Sequence, residues 1–441
     1  MNEPVTVALA TLGCRLNQVE SQEMGALLES HGFRVVEAGA PAQVCVINTC
    51  TVTGRADFSG RQLVRRVARE HPGAFLVVTG CYAQTDAEAV AALAGVDLVV
   101  GNQEKYRLPE LLASLAKRAR PEVAVGDIRA ARGVPVAPFT RVTGRSRAFV
   151  KIQDGCQHRC AFCIVPTARG QSRSQDPNVV VDQARTLAEA GYRDVTLTGV
   201  DIGHYGWDLY PRTTLAALVH RLAEVAGLGW LRLSSVLPAY FTPELVRAVT
   251  TLPVVAPHLH LPLQSGSDRV LRLMRRPYNA RMYRALVERL AAAIPDLGLG
   301  ADVIVGHPGE SEADFEETMR LVEALPFSYL HVFAYSDRRG TEATRLPGRV
   351  TPAVIHERSR TLRRLGREKG AAFRGRLVGA RREVHVLEAR DRETGLLAGL
   401  TSNYVEVLFE GPDSLGRRMV PLQITEVRGE RTYGRLAEAT A

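Results

Sequence analysis

No stretch of about 18 apolar residues occurs anywhere in the 441-residue chain, so no helix is expected to span a membrane. The N-terminus lacks the charged-then-apolar order of an export signal, and a cytoplasmic location is expected. Cysteine is scarce and one-sided: there are seven, all within the first 163 residues. An odd number placed that way does not read as a disulfide framework, and suggests ligands kept reduced. Hydrophobic content of 46% and charged content of 23% are those of an ordinary globular protein, long enough for two or three domains with their own cores.

Three of the cysteines crowd one loop. Residues 155–170 read GCQHRCAFCIVPTARG, with Cys156, Cys160 and Cys163 in a CxxxCxxC spacing. One loop can wrap three thiolates around a cluster of iron and sulfide. A [4Fe–4S] cluster usually takes four cysteines, so three leave one iron open to chemistry. Structural zinc is the alternative, but zinc sites read as paired CxxC or Cys and His groups. His158 fits neither pattern.

The chain before this loop alternates strands and helices. Apolar strands are expected over 5–11, 44–48 and 75–79, with helices over 18–30 and 55–70, which predicts a parallel, doubly wound sheet. Cys14, Cys50 and Cys81 are too far apart for a local metal loop, yet each stands just past the C-terminal end of a strand. Those ends lie along one edge of a parallel sheet, where such sheets bind ligands. A second three-cysteine site is therefore expected, with three separately packed cysteines as the bland alternative. Cys45 lies inside its strand and reads as a packing residue.

Residues 119–147 are rich in Gly and Pro and read as a linker. A second series follows, with strands over 149–153, 194–198, 230–234, 258–261, 299–305 and 329–335 and helices between them. Six strands rather than eight predict an open partial (β/α)6 barrel whose site lies at the C-terminal strand ends. Glycine-bearing turns follow the second, fourth and fifth strands, including Gly199 and Gln264. Beyond a basic helix over 354–373, alternating strands predict a small antiparallel barrel. The net charge is +9, and residues 351–390 alone hold 11 Arg and Lys against 4 Asp and Glu. Such a patch suits a phosphate backbone better than a merely solvated face.

The loop resembles the signature of the radical S-adenosylmethionine (SAM) enzymes, with Phe162 as the aromatic residue before the last cysteine. The longer string GC….C.FC.VP..RG resembles the methylthiotransferases among them. That resemblance covers essentially the whole chain, with LGC, NTC and TGC around Cys14, Cys50 and Cys81. It implies domains at 1–118 (auxiliary cluster), 148–370 (radical SAM) and 371–441 (an RNA-binding TRAM barrel). It implies two [4Fe–4S] clusters, held by Cys156, Cys160 and Cys163 and by Cys14, Cys50 and Cys81. SAM is expected near Phe162, Gly199 and Gln264. One SAM would methylate a sulfur species on the auxiliary cluster, and another would give the radical that removes hydrogen from substrate carbon. Implied partners are a tRNA substrate, an electron donor of flavodoxin or ferredoxin type and a sulfur donor. NTCTVT followed by Arg55-Ala56-Asp57 most resembles the branch acting on threonylcarbamoyladenosine, rather than isopentenyladenosine or a ribosomal aspartate. A contrasting reading is an iron–sulfur RNA-binding protein without radical chemistry. Such a protein has no need to leave an iron open, and the enzyme is favoured.

Overall fold

A computed structural model describes residues 3–135 and 146–437. Its N-terminal sheet has six strands in the order Arg34–Val36, Thr6–Thr11, Val44–Thr49, Phe75–Gly80, Leu98–Val100 and Glu122–Ala124. Every neighbouring pair is parallel. Val7, Val46 and Val77 pack on Met24 and Leu28 on one face. On the other, Ala8, Ile47 and Val78 pack with Val64 and Tyr82. Burial on both faces is why these strands read as unbroken apolar runs. Cys45 is 5% exposed and belongs to the second layer. Strand order reverses between Thr6–Thr11 and Val44–Thr49, the switch point at which such sheets form a crevice.

The stretch read as linker is partly structured. Glu122–Ala124 forms the sixth strand of this sheet, paired with Leu98–Val100; residues 136–145 of that stretch lie outside the described residues.

Six parallel strands then form an open arc: Ala148–Lys151, Asp194–Thr198, Trp230–Leu233, His258–His260, Gly298–Val305 and Tyr329–Ala334. The two halves meet through a bridge between Leu231 and Val255 and a bond from the Val236 N–H to the His260 carbonyl at 3.1 Å. Val150, Leu197, Leu231, Leu259 and Val303 face outward onto Val180, Leu218, Val249, Val287 and Leu321 of the covering helices. By strand alternation, Phe149, Thr196, Arg232, His258, Asp302 and Tyr329 face inward.

Helix Pro352–Gly375 leads to a closed five-stranded barrel of Arg381–Val386, Leu397–Thr401, Glu406–Phe409, Arg431–Leu436 and Met419–Arg428. Its pairs are antiparallel except Glu406–Phe409 with Arg431–Leu436. Leu397–Thr401 was not expected, because it is buried throughout and shows no alternation. Much of the basic excess is engaged internally. Arg358 pairs with Glu310 at 2.7 Å, while Arg363, Lys369 and Arg374 donate to backbone carbonyls. Among the described residues, no helix is long and apolar enough to cross a membrane.

The turn over 401–405 enters the base of the central arc. Arg232 donates to the carbonyls of Thr401 and Ser402 at 2.9 and 2.7 Å, and the Tyr404 ring stacks on His258 at 4.2 Å.

Candidate iron–sulfur site

Two glycines bring the N-terminal cysteines together. Gly13 has φ 110°, and a Cβ there would stand 2.5 Å from Cys50 Cβ and 3.1 Å from its sulfur. Gly80 has φ 96°, and its Cβ would stand 2.4 Å from the Thr49 carbonyl oxygen. The L-G-C and T-G-C strings thus exist because a side chain would push the strand ends apart. Gly80→Ala is expected to lower stability by more than about 1 kcal/mol and to reduce the iron bound beside Cys81. A urea midpoint and an iron assay check both, and an unchanged midpoint would mean that the turn adjusts freely.

Cys14, Cys50 and Cys81 converge beyond the strand ends. Asn17 fixes the rim: its Nδ2 donates to the carbonyls of Leu12 and Thr49, both at 2.9 Å, and its Oδ1 lies 3.8 Å from Cys14 Sγ. Cys156, Cys160 and Cys163 form the second trio, and Arg276 Nη1 stands 3.1 Å from Cys160 Sγ. All seven cysteines are free thiols.

The spacing of the sulfurs bears on what they hold. Sulfurs bound to one zinc would stand roughly 3.8 Å apart, given a Zn–S bond of about 2.3 Å. Among the described residues, the trio of ligating atoms within 4.8 Å of one another is His260, Asp302 and His331. Neither cysteine trio closes to that spacing. Sulfur-only donor sets also suit iron and sulfide. Burial, with the neighbouring Cys81 thiol, pushes the Cys50 thiol up to about 12. Burial, with Cys160, pushes Cys163 up to about 11. Burial likewise raises Cys81 and Cys156. Such thiols stay protonated when alone and lose the proton on binding metal.

A buried ionic network joins the two trios. Arg169, at the end of the short helix Val165–Arg169, donates to Glu20 at 2.7 and 3.0 Å, to Asp154 at 3.0 Å and to Asn17 at 2.8 Å. Glu20 also takes Lys105 at 2.5 Å and Lys151 at 2.9 Å. An arginine closing this loop has a cofactor carboxylate, an RNA phosphate or loop carbonyls as its obvious partners; Arg169 is instead committed to carboxylates of the protein itself. Arg173 is buried, with Asp154 at 3.7 Å. His158 meets the Tyr240 hydroxyl at 2.8 Å.

Two cavities flank the second trio. One, of about 200 Å³, is lined by Val52, Thr53, Phe162, Cys163, Gln264 and Asp302 among others. The other, of about 780 Å³, runs past Cys156, Cys160 and Cys163 and is bounded by residues 125–129 of the former linker. Phe162 sits edge-on to His307 at 6.4 Å. Gln264 has φ 67°, and its Oε1 is buried without a partner. Gly199 lies off both cavities. A Cβ there would meet the Gln153 carbonyl oxygen at 2.7 Å, so its glycine is explained by packing.

Sequence reasoning passed over Asn17, Glu20, Lys105, Lys151 and Asp154. Lys151 and Asp154 carried a signal, being charged residues inside or beside an apolar strand.

Comparison with known proteins follows the same outline. The Radical SAM superfamily matches residues 150–322, and Uncharacterized protein family UPF0004 matches residues 6–101. Among solved structures, the radical S-adenosylmethionine methyltransferase TsrM from Kitasatospora setae gives a TM-score of 0.55 at 17% identity, over 75% of each chain. The cobalamin-dependent radical enzyme OxsB gives 0.51 at 11% identity, over 78% of this chain and 55% of that one. At those identities the likeness is one of fold. Fold and cysteine loop together define a radical SAM enzyme.

Relatives narrow the class. A threonylcarbamoyladenosine tRNA methylthiotransferase of Bacillus subtilis is 37% identical over 95% of this chain and 93% of its own. One from Aquifex aeolicus is 38% identical over 93% and 98%. A tRNA-2-methylthio-N(6)-dimethylallyladenosine synthase of Moorella thermoacetica is 35% identical over 96% of each. The chain belongs to the radical SAM methylthiotransferase family, whose cofactors are SAM and two iron–sulfur clusters.

Proposed function

We propose that the protein converts N6-threonylcarbamoyladenosine next to the tRNA anticodon into its 2-methylthio derivative. The observation that carries this reading is a pair of three-cysteine sites, with a cavity lined by Cys163 of one and by Val52 and Thr53, just past Cys50 of the other, in a chain similar throughout to relatives of that name. Cys156, Cys160 and Cys163 would hold one [4Fe–4S] cluster, and Cys14, Cys50 and Cys81 the other. With SAM bound, such a cluster supplies one-electron cleavage to a carbon radical, which an aryl C–H needs because no side-chain base can deprotonate it.

The chain's own residues do the positioning. Gln264 offers a buried acceptor to a ligand in the cavity, and Phe162 offers an edge. Arg276 donates toward Cys160 and so favours the thiolate that binds iron. Arg169 and Glu20 lock the two cysteine sites in register. The small barrel and the exposed Arg360, Arg364 and Arg367 of helix Pro352–Gly375, held only in surface pairs, suit RNA. A flavodoxin- or ferredoxin-type electron donor, a sulfur donor and a cytoplasmic setting complete the reading.

The test is mass spectrometry of tRNA nucleosides from cells with and without the gene. Loss of 2-methylthio-N6-threonylcarbamoyladenosine, with its precursor accumulating, is the expected result. Loss of the isopentenyl analogue instead would overturn the substrate, and no change in any methylthio nucleoside would overturn the activity.

A further inference from the structure

The inward residues of the central arc stack in layers. Phe149, Thr196 and Arg232 are register partners across the first three strands, and His258 and Tyr329 stack with Tyr404, which is inserted from below. Asp302 and His331 are register partners with His260 beside them, and Gln264 and Ile304 line the cavity above. Polar atoms without partners recur along this interior: Thr196 Oγ1, Ser234 Oγ, His258 Nδ1 and Gln264 Oε1. An interior of this kind is built to receive a polar ligand.

Its charges balance, with one exception. Arg232 is held by both oxygens of Asp194, at 2.9 and 3.1 Å. Asp302 accepts from His260 at 3.1 Å and His331 at 3.2 Å. Lys151 is taken by Glu20 and Asp154. Arg15 and Arg147 remain. Their guanidinium groups lie 6.0 and 5.9 Å from the Phe149 ring and each 5.5 Å from the Tyr404 ring. Arg15 donates to the Tyr404 hydroxyl, and Arg147 Nη1 is buried without a partner. Among the described residues neither meets a carboxylate, and residues 136–145 contain no Asp or Glu. Two guanidinium groups sharing the same rings repel, and ring faces offset only part of that. Burial, with the positive field of Arg232, His260, Arg15 and Arg147, holds His258 well below its ordinary value.

We propose that Arg15 and Arg147 bind the carboxylate of the substrate's threonylcarbamoyl group, an inference that rests on the function proposed above. A paired guanidinium site suits a carboxylate through charge-assisted bonds. The reach also fits. Four residues separate the level of Ile304 from that of Gly300, about 13 Å along a strand. The carboxylate hangs roughly 9 Å from the adenine carbon to be thiolated, by ordinary bond lengths. A base held in the cavity therefore sets its carboxylate between Asp302 and Tyr404. A dimethylallyl group carries no charge and would leave both half-buried cations unanswered, which discriminates against it.

The experiment uses the cluster-loaded enzyme and fluorescence anisotropy with three anticodon stem–loops, carrying threonylcarbamoyladenosine, dimethylallyladenosine or plain adenosine. The wild type should prefer the first. Arg15→Gln and Arg147→Gln should each weaken that loop roughly tenfold while leaving plain adenosine within about twofold. Arg15→Lys, which keeps the charge, should retain part of the preference. Iron content and melting temperature, matched to wild type, establish that each variant is folded. Variants that still prefer the threonylcarbamoyl loop, or that lose all three loops equally as a phosphate contact would, overturn the site. A wild type that prefers the dimethylallyl loop overturns the proposed substrate, and the site with it.

Discussion

Cys81→Ala is expected to yield an enzyme with about four irons in place of about eight. It should still cleave SAM to 5′-deoxyadenosine, yet make no methylthiolated nucleoside. Cys160→Ala should show the same iron loss with neither activity. The asymmetry follows from the architecture. The residue 156–163 loop carries its three thiols on one short segment, whereas the other trio is gathered from three strand ends whose spacing depends on Gly13 and Gly80. Removing Cys81 therefore leaves the residue 156–163 loop intact. Cys45→Ala, in the apolar layer of the sheet, should leave iron unchanged. Iron and sulfide assays with chromatography of both nucleosides decide the matter. Full iron in the Cys81 variant would remove this residue from the ligand set.

Glu20→Gln should be the most destabilising single change in the interior. Its carboxylate is fully buried and answers Lys105, Lys151 and Arg169. Taking it away leaves three cations short of their shared anion, and breaking a buried pair costs about 3–5 kcal/mol. Glu110→Gln, which breaks only the exposed pair with Arg107, should cost less than about 1 kcal/mol. The effect has a pH signature. Burial alone would raise the Glu20 carboxyl, but Arg169, Lys105 and Lys151 outweigh it and hold it well below the usual range. A group depressed in the folded state stabilises above its unfolded value, about 4.3, and that stability is lost as pH falls through the folded value. The gap between wild type and Glu20→Gln in urea midpoint should thus be widest at neutral pH and narrow below about pH 4. A gap independent of pH would show that Glu20 acts by shape alone.

What the sequence disclosed depended on range. The six strands of the central arc were legible because each is a compact apolar run bounded by turns. Arg34–Val36, Leu98–Val100 and Glu122–Ala124 were not, since three residues show no period. The cysteine loop announced itself by local spacing, and the dispersed trio by its repeated place at strand ends. Arg169 was visible as an arginine closing the loop, but its partner Glu20 lies 149 residues away. Nothing local marks such a pair. The inward His258, His260 and Tyr329 follow the strand period, so their direction could have been read, but not the convergence of Arg15 and Arg147 upon Tyr404.

The intrusion of residues 401–405 beneath the arc limits how far this chain can be treated as interchangeable modules. The seat is fitted from both sides. Asn403 Nδ2 donates to the Asp296 carbonyl at 3.0 Å, and a Cβ on Gly298 would stand 2.1 Å from the Asn403 carbonyl oxygen. A C-terminal barrel grafted from a relative would arrive with a turn cut for another socket. Chimaeras that exchange C-terminal barrels between methylthiotransferases must therefore transplant Arg232, Asp296 and Gly298 along with the barrel, or lose the stopper that closes the base of the arc.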